Sequence, residues 1–234
     1  MSRIKVKGVL SSERRGGTAG YRLAAEAAAD FARGDRRIFS YRGQREDEPW
    51  CLVSYSLPEV DRSKRVRLRR ELMGLGFGSI TDGLWIAPGH LRDEVEATLE
   101  TIEVRDRATI FITETPLTAE PFAQAAARWW DLDRLAARHT EFLDRYGRLI
   151  EGPGKLRSGG QDRIAARDAA SREAFVLWLG CVDDWKTIPF VDPGLPAGAL
   201  PDDWPGSQSV ELFARLRDRL AGPARDFVAQ AVRN

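Results

Sequence analysis

The chain has 234 residues, enough for one large domain or two to three small ones, and its 43% apolar and 30% charged residues are ordinary for a globular protein. Its net charge of +1 does not indicate a particular class of binding partner. The sequence has no apolar run near the roughly 18 residues of a membrane helix and no secretory signal, so it predicts a cytoplasmic protein.

Positive charge is concentrated at the start of the chain. Residues 1–45 hold 11 Lys and Arg residues against four Asp and Glu residues, a charge of +7, which leaves −6 for residues 46–234. A basic segment on an acidic body is the electrostatic pattern of a nucleic-acid-binding protein. The alternative is that a basic, arginine-rich terminus is simply solvated.

The first 23 residues have the pattern of a helix end, a strand, a basic turn and a second strand. Residues 2–8 predict the end of a basic helix closed by its glycine. Strands are predicted at residues 9–13 and 21–23, with a glycine-rich turn over residues 14–20. This order is typical of a recognition helix followed by a wing.

Five basic residues in this segment are candidate DNA contacts. Arg3, Lys5 and Lys7 would lie near the DNA backbone or base edges if the helix end enters the major groove. Arg14 and Arg15 would lie beside phosphates or in a minor groove if the turn is a wing. The alternative is an ordinary hairpin tipped with arginine.

A connector follows the predicted wing. The alanine-rich residues 24–32 predict a short helix that Gly34 ends. Residues 35–42 favour a strand-like run. The polar residues 44–48 mark a domain boundary, so the first domain is predicted to span residues 1–45.

The next segment, residues 46–115, has the element order β-α-β-β-α-β. Its predicted strands are residues 50–55, 77–80, 84–87 and 108–113. Asp82-Gly83 is a two-residue hairpin signal between the second and third strands. This order is the ferredoxin-like unit, in which two helices cover one face of the sheet and the other face is left for a partner.

The two helices of this unit are predicted from apolar residues at helical spacing. The first helix follows Pro58, ends at Gly74 and Gly76, and has the apolar side Val66, Leu68, Leu72, Met73 and Leu75. The second helix has the apolar side Leu91, Val95, Leu99 and Ile102. Asp61 lies where it would cap the start of the first helix.

The third segment, residues 116–234, is predicted to be a helical domain. Its predicted helices are residues 119–130, 131–150, 163–185, 209–220 and 223–232. The second of them has the apolar stripe Leu132, Leu135, His139, Phe142, Tyr146 and Ile150, and the third has the core side Phe175, Val176, Leu179 and Val182. Repeated prolines between residues 189 and 205 predict an extended segment that lies across another surface.

Residues of catalytic type are few. Cys51 and Cys181 have no metal-site spacing and are predicted to be buried thiols. His139 is predicted to be partly buried and hydrogen-bonded, and His90 to be exposed. There is no nucleophile elbow, metal cluster or phosphate-binding loop, so the sequence predicts no enzyme, no metal and no cofactor.

Several of these motifs carry a family resemblance. Ser-Tyr-Ser-x-Pro-Glu at residues 54–59, Leu-Gly-Phe-Gly at 75–78 and Gly-x-Trp-Ile-x-Pro at 83–88 resemble the middle domain of the PaaX family. Asp-Pro-x-Leu-Pro at residues 192–196 and Leu-Pro-x-x-Trp-Pro-Gly at 200–206 resemble its C-terminal signature. Members of this family are bacterial repressors of phenylacetate-degradation operons and their relatives.

The resemblance implies a cytoplasmic homodimer that binds operator DNA and is released by an aryl-acyl-coenzyme A effector. Residues 2–23 resemble the recognition-helix end and wing of the family, in which further helices precede this point. The implied fold is therefore α+β: a winged-helix remnant lacking most of its domain, a ferredoxin-like middle domain and a helical C-terminal domain. Such an effector needs aromatic walls and cations, so Trp185, Lys186 and Trp204 are the candidate effector residues.

Two alternatives to a repressor stay open. One is a ligand-sensing or dimerising protein that does not itself read DNA. The other is a metal-dependent nuclease, because the middle domain is similar to the small nucleases of CRISPR adaptation, which have an aspartate at the end of the first strand. Here Ser56 follows Tyr55, and a hydroxyl is a poor ligand for a hard divalent cation.

Overall fold

The computed structural model describes residues 8–114, 116–151 and 163–233. These residues form an α+β protein with a two-stranded and a four-stranded antiparallel sheet. The chain divides into two compact units, Met1–Tyr41 and Arg42–Asn234. In the described ranges, no helix is long and apolar enough to cross a membrane.

A tight hairpin opens the described part of the first unit. Strands β1 (Leu10–Arg15) and β2 (Thr18–Leu23) pair along their whole length. The turn is only Gly16 and Gly17, whose φ angles are 57° and 84°. Two consecutive residues with positive φ are what a two-residue hairpin turn needs. The predicted turn over residues 14–20 is therefore too long, because strand pairing continues up to the two glycines.

The helix after this hairpin is longer than predicted. Helix α1 (Ala25–Phe39) runs through Gly34 and through most of residues 35–42. The predicted helix end at Gly34 and the predicted strand-like run over residues 35–42 are therefore both wrong. An interior glycine costs only about 1 kcal/mol relative to alanine. The alanine-rich first half offsets that cost, and Arg36 and Arg37 lie in the last turn, where the helix dipole favours cations.

The second unit begins with a four-stranded sheet and two helices. Its elements are β3 (Trp50–Tyr55), α2 (Arg62–Gly74), β4 (Gly78–Thr81), β5 (Leu84–Pro88), α3 (Arg92–Thr101) and β6 (Ala108–Thr113). The strands lie in the order β4-β5-β3-β6, and each neighbouring pair is antiparallel. β3 and β6 have the bounds that the sequence predicts, and the turn at Asp82-Gly83 joins β4 to β5.

One face of this sheet packs on α2 and α3. Leu68 and Leu72 are fully buried in this core, and Leu75 is partly buried. Val66 and Met73, predicted to share the buried side, are exposed. A helix turns by about 100° per residue, so Val66 points well away from Leu68. The residues predicted on the apolar side of α3 are all buried.

The other face of the sheet is covered by the chain itself, so the prediction that it is left for a partner is wrong for much of its area. Trp50 and Ile86 on this face belong to a second core cluster with Trp130 and Leu195. The indole N–H of Trp130 donates to the Gly76 carbonyl at 2.8 Å. This cluster joins the sheet to the helical part of the second unit.

In its described ranges, the second unit is completed by four helices: α4 (Phe122–Trp129), α5 (Leu132–Glu151), α6 (Arg163–Trp185) and α7 (Gly206–Arg233). α7 continues through Pro223, so the two predicted terminal helices are one helix. A proline inside a helix costs about 3 kcal/mol or more. Packing of α7 along α6 offsets that cost, as at Phe227, whose ring lies 5.2 Å from that of Phe175.

The buried side of α6 also differs from the prediction. Val176 and Leu179 are exposed, whereas Ala174, Cys181 and Trp185 are buried. The buried residues follow helical spacing but are small or aromatic. A prediction that counts branched aliphatic residues therefore selects the wrong side of this helix.

Candidate functional site

The hairpin presents one of the predicted DNA contacts directly. Arg14 is exposed, next to the last residue of β1. Across the strands, the Arg22 guanidinium donates to Glu13 at 2.9 Å, and this hydrogen bond raises the pKa of Arg22. Arg15 is the last residue of β1, and its side chain lies outside the described part.

Arg3, Lys5 and Lys7, the other predicted contacts, lie outside the described residues. The predicted helix end that would carry them also falls there. The geometry of this candidate interface therefore consists of the hairpin alone.

In the second unit, the C-terminal signature is anchored by a buried polar cluster. His139 Nδ1 lies 2.6 Å from Ser209 Oγ, and His139 Nε2 lies 2.7 Å from Asp192 Oδ2. The exposed fractions of His139, Asp192 and Ser209 are 0%, 3% and 0%. We call these three residues the histidine clasp. The clasp ties α5 to the proline-rich segment and to the first turn of α7.

The clasp is a chain of hydrogen bonds. The Ser209 hydroxyl donates to the Gly206 carbonyl at 2.8 Å, and its oxygen lies within hydrogen-bond distance of His139 Nδ1. The other ring nitrogen, Nε2, shares a hydrogen bond with Asp192 Oδ2. The imidazole and the carboxyl group are therefore both paired, as buried polar groups require.

Serine, histidine and aspartate also form the triad of hydrolytic enzymes, in which serine donates its proton to histidine. In the clasp, Ser209 instead donates to a backbone carbonyl, and its side chain is closed to solvent. The cluster is therefore structural. The prediction that His139 is hydrogen-bonded is confirmed, but the residue is fully rather than partly buried, and sequence reasoning missed its partners.

The signature also holds the segment that begins the second unit. The Gln44 backbone N–H donates to the Gly194 carbonyl at 2.8 Å, and the Gly198 N–H donates to Glu46 at 3.1 Å. Gly194 has a φ of 72°, and a Cβ at this position would overlap the Arg42 carbonyl oxygen. Residues 44–48, where the sequence places a domain boundary, thus pack on the C-terminal signature.

An ion pair stiffens this same segment. The Arg42 guanidinium donates to both carboxylate oxygens of Glu48, at 2.7 and 2.8 Å. The hydrogen bond from Arg42, with another from the Arg45 backbone, lowers the pKa of Glu48 to about 2. Glu48 therefore stays ionised at neutral pH.

The predicted effector residues have three different environments. Trp185 is 1% exposed, and its ring stacks on Phe213 with centroids 4.5 Å apart. Lys186 is exposed and forms an ion pair with Asp183. Trp204 is partly buried. Its ring lies edge-to-face with that of His139, with the two ring centroids 5.6 Å apart. In this conformation Trp185 is a core residue, while Lys186 is accessible to a ligand.

Trp185 belongs to a row of stacked rings. Phe213 stacks on Trp185 on one side and on Trp178, at 5.7 Å, on the other. We call Trp178, Phe213 and Trp185 the aromatic column. Its two tryptophans are seven residues apart on α6, so both face α7, which supplies the phenylalanine.

Metal-binding and thiol groups offer little chemistry. No group of three or more His, Cys, Asp or Glu residues in the described ranges could hold a metal ion. Cys51 and Cys181 are buried free thiols, as predicted, and burial raises the pKa of each to about 12. Asp61 lies at the N-cap of α2 but makes no capping hydrogen bond, contrary to its predicted role.

Comparison with known proteins identifies the kind of regulator to which these features belong. The "PaaX protein central Cas2-like domain" matches residues 43–125, which include the four-stranded sheet. The "PaaX-like protein C-terminal domain" matches residues 130–230, which include the histidine clasp. The two matches cover most of the chain. The chain belongs to the PaaX family.

Two individual proteins are similar along nearly the whole chain. The transcriptional repressor PaaX of Escherichia coli (strain K12) is 24% identical over 231 residues, which cover 97% of this chain and 69% of the relative. The solved structure of the uncharacterized protein Rv0674 from Mycobacterium tuberculosis has a TM-score of 0.57 and 22% identity. That match covers 97% of this chain and 81% of the other, and it shows a shared fold.

Proposed function

We propose that this chain is a DNA-binding transcriptional repressor of the PaaX type, which an aryl-acyl-coenzyme A effector releases from its operator. The observation that carries this proposal is the alignment with the Escherichia coli repressor over 97% of the chain. In this proposal the protein acts in the cytoplasm, is not an enzyme and needs no cofactor.

The proposed architecture has three parts. Residues 1–45 belong to a winged-helix domain whose wing is the β1–β2 hairpin, residues 46–115 are a ferredoxin-like domain, and residues 116–234 are a helical domain. The strand order β4-β5-β3-β6 supports the ferredoxin-like assignment. The Cas2-like description of the matching family model also supports it.

We assign DNA contacts to Arg3, Lys5 and Lys7 in the helix end and to Arg14 and Arg15 in the wing. The charge of +7 on residues 1–45 supports this assignment, because counterion release from DNA favours binding by clustered cations. Arg14 is exposed and lies two residues before the two-glycine turn, and this position supports a role in a narrow tip that enters a groove.

The wing assignment predicts a measurable change in salt dependence. The double change Arg14→Ala and Arg15→Ala is expected to weaken DNA binding. It should also reduce the slope of log K against log salt by about 0.9 for each lost phosphate contact. Fluorescence anisotropy of a labelled duplex, titrated at several salt concentrations, measures both quantities.

Two exposed arginines of the second unit provide the matched control. Arg134→Ala with Arg215→Ala removes the same charge from residues that are not part of the hairpin and should leave the slope unchanged. An equal loss of slope in both double variants would mean that only net charge matters. An unchanged slope in the wing variant would remove the wing from the proposed interface.

We also propose that the protein is a homodimer, which would match a palindromic operator. The edge strand β6 supports this proposal. Its sequence, ATIFIT, has no charged residue. Two adjacent residues of the strand, Phe111 and Ile112, are 51% and 48% exposed. They point to opposite faces of the sheet. An apolar, uncharged edge strand favours pairing with another strand.

The register of β6 fits a two-fold axis. The Ser56 N–H donates to the Arg107 carbonyl, so the backbone groups of Ala108, Ile110 and Ile112 point to the outer edge. Antiparallel pairing of two copies centred on Ile110 would set Ala108 opposite Ile112 of the second copy. The two sheets would then form one continuous sheet.

For the effector, we retain Lys186 and Trp204 as proposed contacts. Lys186 supplies an exposed cation for a phosphate group, although it must first leave Asp183. Trp185 can contact an effector only in a conformation in which the aromatic column has opened. Effector release would then require a ligand that binds the opened form more tightly.

A further inference from the structure

A groove between α6 and α7 has the shape and chemistry of a ligand site. We propose that it binds an aryl carboxylate, with the aromatic ring in the groove and the carboxylate at Arg225. The inference rests on the proposed ligand control of this protein. It assigns the ring of the ligand to a groove that is lined neither by the C-terminal signature nor by Trp185.

The groove has a volume of about 560 Å³, in the range of small-molecule sites. Its walls are almost entirely apolar, and they include Phe175 and Trp178 from α6 and Ala224, Val228 and Val232 from α7. Such walls can cover one face of a small ring but supply few hydrogen bonds. The ligand part that fits the groove is therefore a hydrocarbon ring.

The aromatic column adds a preference for a planar ring. Trp178 is one end of the column and also lines the groove. Phe175, the second aromatic wall, is itself packed on Phe227 at 5.2 Å, so both rings are held in place. Aromatic rings at 4.5 to 7 Å attract one another beyond their buried area. A ring bound here would contact the same column that holds Trp185.

Arg225 makes the groove favour an anionic ligand. Among the described residues that line the groove, it is the one charged residue, and it is exposed. Its Nε donates to the Ala221 carbonyl at 3.2 Å, which orients the guanidinium along α7. A guanidinium binds carboxylates and phosphates through paired hydrogen bonds. The expected ligand thus has an anionic group close to its ring.

The test is calorimetric titration of the full chain with phenylacetyl-coenzyme A, phenylacetate and free coenzyme A. Val228→Trp fills the groove from a side chain that is 43% exposed, so it should not disturb the core. It is expected to weaken binding of the aryl probe by more than about tenfold. Arg225→Gln is expected to weaken it by about tenfold, the loss of one charge-assisted contact.

Matched controls are Val176→Trp and Arg215→Gln, because both residues are exposed, lie on the same two helices and do not line the groove. Both should bind within about twofold of the unchanged chain. Binding that is lost equally in Val176→Trp and Val228→Trp would overturn the proposal.

The three probes separate the groove from the proposed function. If phenylacetate does not bind, or if Val228→Trp binds it equally well, the groove is not the site, and binding of the thioester would still support the proposed effector. If phenylacetate binds in a Val228-dependent way and the thioester does not, the groove is supported and the proposed effector is wrong. If no probe binds, the groove proposal fails, and DNA binding alone decides the repressor proposal.

Discussion

Replacing His139 with alanine is expected to destabilise the protein by about 3–5 kcal/mol, because it removes one partner from a buried pair of ionisable groups. Asp192 would keep its buried position but lose the imidazole with which it shares a hydrogen bond. Ser209 would lose its second hydrogen-bond partner in the same place. Urea denaturation followed by circular dichroism measures the change, which should appear as a lower midpoint.

Two companion variants test whether the clasp is the cause. Thr140→Ala, at an exposed neighbour on α5, should change stability by less than about 0.5 kcal/mol. Replacing His139 and Asp192 together by leucine should cost less than the two single changes combined, because neither member of the pair is left buried without its partner. A loss of under about 1 kcal/mol for His139→Ala would contradict the structural role of the clasp.

Gly194→Ala is the second large effect that we expect. The residue has a φ of 72°, and strain of this kind costs about 1–3 kcal/mol in a residue with a side chain. The added Cβ would also overlap the Arg42 carbonyl oxygen. The hydrogen bond from the Gln44 N–H to Gly194 holds these two backbones together, so relief of the overlap would break it. Thermal unfolding of the purified variant measures the loss.

Gly147→Ala provides the matched control for that change. Gly147 lies inside α5, and a Cβ there would meet no atom within 4 Å. The substitution should stabilise the protein by about 0.5–1 kcal/mol through helix propensity. If Gly194→Ala were as stable as Gly147→Ala, the close approach of the signature to Arg42 would be disproved.

The four-stranded sheet was the most predictable part of the fold because its signals are local. β3 and β6 are runs of strand-forming residues, and Asp82-Gly83 is a turn sequence that few other structures use. In α3, all the apolar residues at helical spacing are buried, so the pattern identified the right side. Each of these features depends on residues that are close in the sequence.

The errors arise where tertiary packing overrides local preference. Gly34 and Pro223 are residues that end isolated helices, yet both lie inside helices here. Pro223 lies in α7. Packing of α7 on α6 offsets the loss of the backbone hydrogen bond that proline cannot donate. Val176 is apolar but exposed, because the contact with α7 selects the side of α6 that has Ala174 and Cys181.

The polar cluster shows a similar limit. His139 could be predicted to be buried because it lies on the apolar stripe of α5. Its partners are 53 and 70 residues further along the chain, at Asp192 and Ser209. No spacing rule connects positions so far apart, and only the folded path of the proline-rich segment brings them together.

The most direct test of the central claim is selection of bound sequences from a random duplex DNA library by the full 234-residue chain. A repressor of the proposed kind should enrich one two-fold symmetric sequence, as a homodimer requires. Phenylacetyl-coenzyme A should then release that duplex, whereas free coenzyme A should not. Recovery of no preferred sequence, under salt conditions that permit non-specific binding, would contradict the account.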